Sequence, residues 1–115
     1  MKITDFTITP FQHKFKNPLI TANQNYTHRS GFIIKINSTD FFGLGESSPL
    51  PGFSAESLKD VSYALESYRL AIMDIGETFI EELLSFIPIH CEDLPSVGFG
   101  LETAIYDLAS KIEGK

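Results

Sequence analysis

The chain has 115 residues, enough for one domain with a modest core and too few for two. Its 43% apolar and 21% charged residues are those of an ordinary globular protein and exclude a disordered chain. A formal net charge of −6 and a pI near 4.9 argue against nucleic acid as partner, since its binders carry a basic stripe or an excess of Lys and Arg.

The opening stretch MKITDFTITPF alternates polar and apolar residues without an apolar h-region, so no signal peptide is expected. No apolar run is long enough to cross a bilayer, and no membrane partner is expected. From Ile3 to Phe15 the period is two, with Thr4, Phe6 and Ile8 on one face, then Phe11, His13 and Phe15 in step after a shift. This predicts one long strand, kinked or bulged at Pro10, where the missing donor requires a sheet edge or broken pairing. Lys16 to Ser30 is rich in Asn, Thr and Ser without a period and reads as a long loop. Phe32 to Asn37 alternates again, Asn37 to Asp40 is turn chemistry, and Phe41 to Glu46 returns as a third strand. The three make an antiparallel meander with one apolar face to be covered.

Every strand signal precedes the stretch Gly43 to Glu56, GLGESSPLPGFSAE, and every helix signal follows it. Its glycines and prolines predict a loop held in one shape, the kind of segment that contacts a ligand. Ser54 is placed to cap a helix with Leu58, Val61, Leu65, Tyr68 and Ile72 on its apolar face. Gly76 interrupts it. A second helix is predicted from Glu77 to Phe86, with Phe79, Ile80, Leu83 and Leu84 inward and Pro88 closing it. Ile89 to Pro95 has no period and reads as a linker. Ser96 then caps a third helix with Val97, Leu101, Ala104, Ile105, Leu108 and Ile112 in one stripe. Gly98 and Gly100 weaken its first turns by roughly 1 kcal/mol each, which points to another backbone passing close by. Asp107 and Lys111 are spaced as a surface pair. The fold class is therefore α+β, a three-stranded antiparallel meander followed by about three helices.

Titratable groups that could do chemistry are few. His13, His28 and His90 lack paired-ligand spacing, and Cys91 is the only cysteine, so no metal site or disulfide is expected within the chain. His13 reads as a packed strand residue, and His28 beside Arg29 as a solvent-exposed residue that could meet an anion. Cys91 is a spare thiol of a reducing cytoplasm. Glu46 at a strand end is either a general base or a cap for a backbone group. Glu81 and Glu82 read as a solvated helix face. GLGESS lacks the lysine of a phosphate loop.

The run GLGESSPLPGFSAES resembles the end of the sheet in the small N-terminal domain of the enolase superfamily, in particular the o-succinylbenzoate synthases of its muconate-lactonizing subgroup. Arg29-Ser30-Gly31-Phe32-Ile33-Ile34 is similar to that family's entry to the second strand, and LPSVGFGLETAIYDLASK, Leu94 to Lys111, to its helix leading into the barrel. The resemblance implies an enolase N-terminal domain-like capping domain spanning 1–115, lying over the C-terminal mouth of a β/α barrel. Two loops would shape the pocket around a small carboxylate substrate, one near Leu19 to Arg29 and one from Ser47 to Phe53. The implied pocket residues are Ile20, Thr21, Asn23, Arg29, Leu50, Gly52 and Phe53, with Arg29 as an anion partner or loop brace. The implied reaction is a syn-dehydration in menaquinone synthesis that starts with proton abstraction next to a carboxylate, with Mg²⁺ and lysines supplied by the complete enzyme.

No lysine base and no Asp or Glu metal ligand of that family has a matching position up to Lys115. The chain is therefore expected to be a fragment, without cofactor and inactive alone, that needs its barrel. Other expectations are the cap of a muconate cycloisomerase or acylamino-acid racemase, or a stand-alone binding or assembly module. Val97, Phe99, Leu101, Ile105, Leu108 and Ile112, with Phe86 and Ile87, supply more apolar surface than a short meander needs, so the isolated chain is expected to form a homodimer or exchange domains.

Overall fold

A computed structural model describes residues 1–20, 25–48, 58–91 and 94–114, with the backbone alone for 13–20 and 25–29. Strands β1 (Asp5–Ile20), β2 (Asn25–Asn37) and β3 (Phe42–Ser47) form an antiparallel sheet in the order β1-β2-β3. Helices α1 (Leu58–Met73), α2 (Ile80–Ser85), α3 (Ile87–His90) and α4 (Pro95–Ile112) follow. This is the expected meander and helices, with one extra short helix, α3. Among the described residues no helix is long and apolar enough to cross a membrane.

Strand pairing explains both the core and the prolines. Phe6 lies opposite Ile36 and Ile8 opposite Ile34, while Ile36 faces Gly43 and Ile34 faces Gly45 across the second ladder. Alternation puts all six on the face that the helices cover. Phe6, Ile34 and Ile36 are there buried with Val61, Leu65, Tyr68, Val97, Leu101, Ile105 and Leu108. Each such aliphatic or aromatic side chain stabilises the fold by about 1.5–3 kcal/mol.

The register runs evenly through Pro10, opposite Phe32, so the expected kink is not there. Phe6 shows why. Its N–H donates to Asp5 Oδ1 at 2.9 Å and its carbonyl accepts from Arg69 Nε at 3.3 Å, so its polar groups point off the outer edge of β1. Pro10 is four residues on and in the same phase, so its missing donor also faces outward and no ladder bond is lost. The edge position expected for this proline is borne out. The irregularity lies between Lys14 and Leu19, where residues 15–18 of β1 are set against residue 27 of β2. That bulge contains Pro18.

The segment Lys16 to Ser30 is also not one loop. Lys16–Ile20 belongs to β1 and Asn25–Ser30 to β2, with Leu19 opposite Tyr26 and Ile20 opposite Asn25. Backbone ladders satisfy N–H and C=O groups whatever the side chains, so a polar stretch without period can still pair. Beyond Ser47 the β1–β2 pair continues without β3 as a two-stranded ribbon of about 20 Å. The molecule is correspondingly long, 48 × 27 × 19 Å, with a radius of gyration of 15.2 Å against about 13 Å for a sphere-like domain of this length.

Several helix boundaries differ from expectation. Ser54 lies outside the described residues. The α1 stripe is buried as expected at Val61, Leu65, Tyr68 and Ile72, whereas Leu58 is exposed. Gly76, at φ +81°, turns the chain in the left-handed region, and Glu77 then pairs with Lys2. The second helix starts at Ile80. Thr78 Oγ1 donates to Glu82 Oε1 at 2.6 Å, so Glu82 braces the helix start rather than only facing solvent, and Phe79 is exposed.

Pro88 does not end a helix but stands in the first turn of α3, where a missing N–H costs nothing. The same physics moves the start of α4: Leu94 is the N-cap, Pro95 opens the helix and Ser96 is already inside. Ser96 Oγ instead lies 3.2 Å from Ser47 Oγ.

Helix α4 rests directly on β3. A Cβ added at Gly45 would fall on the Gly100 carbonyl oxygen, and one at Gly43 on the Ala104 carbonyl oxygen. Four helix residues rise about 6 Å and two strand residues about 6.7 Å. Ser96, Gly100 and Ala104 therefore keep step with Ser47, Gly45 and Gly43. The expected close backbone is found at Gly100, whose added Cβ would be 2.8 Å from the Glu46 carbonyl oxygen, and not at Gly98. The apolar surplus expected on α4 is largely consumed here: Val97, Leu101, Ile105 and Leu108 are fully buried and Ile87 nearly so, leaving Phe99 and Ile112 exposed.

Candidate functional site

The described flanks of the two segments marked as pocket loops meet at one corner of the domain. Gly31 of β2 abuts the end of β3, and a Cβ there would lie 2.6 Å from Ser48 Cβ. On one side of this contact the β1–β2 ribbon projects; on the other the chain leaves β3 after Ser47. The corner is tied down by polar contacts. Ser47 is fully buried and meets Ser96 of α4, so the end of β3 is pinned to the start of that helix. Ser48 Oγ donates to Glu46 Oε2 at 3.1 Å, and Gln12 Nε2 donates to Ser30 Oγ at 3.4 Å across the base of the ribbon. Sequence reasoning missed this corner, although Gly31 within Arg-Ser-Gly was its one legible signal.

Of the implied pocket residues, Ile20 and Arg29 lie in strands of the ribbon rather than in a loop, opposite Asn25 and His13 respectively. Thr21, Asn23, Leu50, Gly52 and Phe53 lie outside the described residues. Glu46, weighed as a base or a cap, accepts the Ser48 hydroxyl.

The histidines do not converge on one element. His13 is on β1 and His28 on β2, while His90 belongs to α3. His90 Nδ1 is 2.8 Å from Ser67 Oγ of α1, and its ring meets Tyr68 edge-on with centroids 6.1 Å apart. Among the described residues no three His, Cys, Asp or Glu side chains are grouped to hold a metal ion.

Cys91 is 7% exposed, and burial pushes its thiol up to about 11. Burial therefore makes the thiolate much scarcer in the native chain near neutral pH than in the unfolded chain. Alkylation by iodoacetamide is expected to be at least about a hundredfold slower in the native chain than in urea-unfolded chain. Equal rates would remove the inert-thiol reading.

Asp107 and Lys111 form the expected pair at 3.2 Å but do more than decorate the surface. The Leu44 N–H donates to Asp107 Oδ2 at 2.9 Å, and Lys111 Nζ donates to the Phe42 carbonyl at 2.8 Å. The Leu44 N–H holds the Asp107 carboxyl below its usual range, with Lys111 acting in the same direction. Both partners lie on the outer edge of β3. Spacing alone predicted the pair and could not reveal the strand beneath it.

Two shallow hollows of about 290 and 350 Å³ lie elsewhere, between α2 and the C-terminal half of α4, and include Ile80, Glu81 and Ala109. They contain none of the implied pocket residues.

This arrangement of meander, helices and projecting ribbon is the N-terminal domain fold of the enolase superfamily. A dipeptide epimerase from Enterococcus faecalis, solved with Mg and the dipeptide L-Leu-L-Tyr, superposes with a TM-score of 0.85 over 98% of this chain and 32% of its own, at 21% identity. Within that class, residues 3–108 match the family described as "MenC, N-terminal domain", and the chain belongs to that family. The o-succinylbenzoate synthase of Vibrio cholerae is 30% identical over 103 residues, which cover 89% of this chain and 28% of that protein. The o-succinylbenzoate synthase of Pectobacterium atrosepticum is 36% identical over 91 residues, 78% of this chain and 24% of that protein. The chain thus spans about a quarter of the length of these curated relatives.

Proposed function

We propose that residues 1–115 are the capping domain of an o-succinylbenzoate synthase-like dehydratase of menaquinone biosynthesis, a cytoplasmic enzyme whose remainder is a β/α barrel. The observation that carries this reading is the family match over residues 3–108, joined by synthases as relatives at 30% and 36% identity. The epimerase similarity, at 21% identity, speaks for the fold alone and does not favour a cap of epimerase or racemase type.

In this reading the β1–β2 ribbon, which carries Ile20 at its far end and Arg29 near its base, together with Thr21 and Asn23 and the segment with Leu50, Gly52 and Phe53, closes over a small carboxylate held by the barrel. Their work is to orient the substrate and exclude water, and Arg29 offers a cation to its carboxylate. The corner at Gly31 and Ser48 supports the reading because it fixes the origin of both segments relative to each other. The described residues do not fit a Mg²⁺ ion, since no acidic cluster is present among them; the ion implied by the resemblance belongs to the barrel. Without that barrel, self-association as a homodimer or by domain exchange is the expected behaviour, and exposed Phe79, Phe99 and Tyr106 support it.

The test is a chimera in which this chain replaces the matching segment of the Vibrio cholerae synthase. Formation of o-succinylbenzoate is expected from the chimera and not from the chain alone. Phe53→Ala or Arg29→Ala in the chimera is expected to lower kcat/KM by about 10- to 100-fold. A folded chimera that turns over only dipeptide epimerase substrates, or nothing, would overturn the proposal.

A further inference from the structure

Both free edges of the sheet carry side-chain partners, and the β3 edge is covered from the helix layer. Gly43, Gly45 and Ser47 lie opposite β2 residues and share the helix-facing side, while Leu44 turns its amide the other way, to Asp107. By alternation the outward groups of β3 are those of Phe42, Leu44 and Glu46. The Leu44 N–H is held by Asp107 and the Phe42 carbonyl by Lys111, and the two side chains hold each other at 3.2 Å. Two cations lie over the Phe42 ring, Lys111 Nζ at 4.2 Å and Lys35 Nζ at 4.5 Å from its centroid. Asp107 and Lys111 are one helical turn apart on α4, and α4 keeps step with β3, so the same helix that covers the inner face also reaches over the edge.

An exposed strand edge is a template for another strand. Here the edge is also apolar: Leu44 is 43% and Phe42 39% exposed. A second copy of the same edge fits it by symmetry. Antiparallel pairing about a two-fold axis at Leu44 would set its outward N–H and C=O against the same groups of the copy, giving two reciprocal hydrogen bonds and joining two three-stranded sheets into one.

We propose that Asp107 and Lys111 are an edge lock, which keeps β3 of this chain from pairing with β3 of a second copy. The lock works by occupying the outward groups of β3 with charge-assisted hydrogen bonds, which are about twice as strong as neutral ones. Asparagine at 107 keeps an acceptor for the Leu44 amide, whereas alanine leaves that amide free.

The experiment measures molar mass by light scattering over a wide concentration range, together with amide exchange at Leu44. Asp107→Ala is expected to self-associate at least about tenfold more tightly than the unaltered chain, with the Leu44 amide protected on dimer formation. Asp107→Asn, which keeps a neutral acceptor but loses the charge, is expected to associate more tightly than the unaltered chain and less tightly than Asp107→Ala. Adding Leu44→Pro to Asp107→Ala removes the outward donor and is expected to abolish the added association. Should Asp107→Ala fail to fold, Lys111→Met, which uncovers only the Phe42 carbonyl, carries the same expectation with a smaller increase. A folded lock variant that associates no more than the unaltered chain overturns the proposal, as does added association that survives Leu44→Pro.

Discussion

Gly45→Ala is expected to destabilise the domain by about 3 kcal/mol, near the top of the usual range for overpacking. The new methyl would land on the Gly100 carbonyl oxygen, and that atom is backbone in the middle of α4. Neither partner can turn aside as a side chain would, so helix and strand must separate. Separation would also loosen Leu101, Ala104 and Leu108, all fully buried on the same helix. Gly98→Ala is the matched control. Its added Cβ meets only Ile87 Cγ2, at an ordinary 3.6 Å, so the gain in helix propensity should appear as up to about 1 kcal/mol of added stability. Urea denaturation of the two variants measures both. Equal effects of the two substitutions would mean that α4 does not touch β3 through its glycines.

The second large effect is expected at Tyr68. Its ring is fully buried, 6.0 Å from the Phe6 ring, and its hydroxyl donates to the Leu83 carbonyl at 2.8 Å. Leu83 belongs to the six-residue α2, where the last carbonyls have no partner within the helix. Tyr68 therefore supplies apolar area to the core of α1 and a donor to the end of α2 together. Tyr68→Ala is expected to cost about 4 kcal/mol through the cavity, and Tyr68→Phe about 1–2 kcal/mol through the unpaired carbonyl alone. A phenylalanine variant with an unchanged unfolding midpoint would show that water or another donor satisfies Leu83. Burial raises the tyrosine's own ionisation, so this group favours the fold below its unfolded pKa of about 10, and the contribution is lost as pH rises through the higher folded value.

The architecture was legible in the sequence because periodicity carries it. Phe32, Ile34 and Ile36 alternate and α1 repeats at helical spacing, and both patterns come directly from which face meets the core. Prolines misled where their position relative to an edge or a helix start decides their effect. Pro10 faces outward from an edge strand and leaves the ladder whole, and Pro88 and Pro95 begin helices rather than end or precede them. The ribbon was illegible for another reason: backbone pairing in a two-stranded hairpin requires no apolar pattern. The fit of α4 on β3 was half legible. The cost of Gly100 in a helix signalled a nearby backbone, while the same signal at Gly98 was false because among the described residues only the Ile87 side chain, and no backbone, comes within contact of it. The pocket residues came from resemblance, and five of the seven lie outside the described residues.

The ribbon has a mechanical consequence. It is a lever about 20 Å long with its fulcrum at Gly31, where β2 bears on Ser48. A tilt of roughly five degrees there carries the far end by about 2 Å, several times the displacement that breaks a hydrogen bond. In the proposed cap the segment from Ser47 to Phe53 begins at the same contact, so ribbon and segment would share one pivot. Tightening or loosening that pivot would then act on both together, and retuning either in isolation would be difficult.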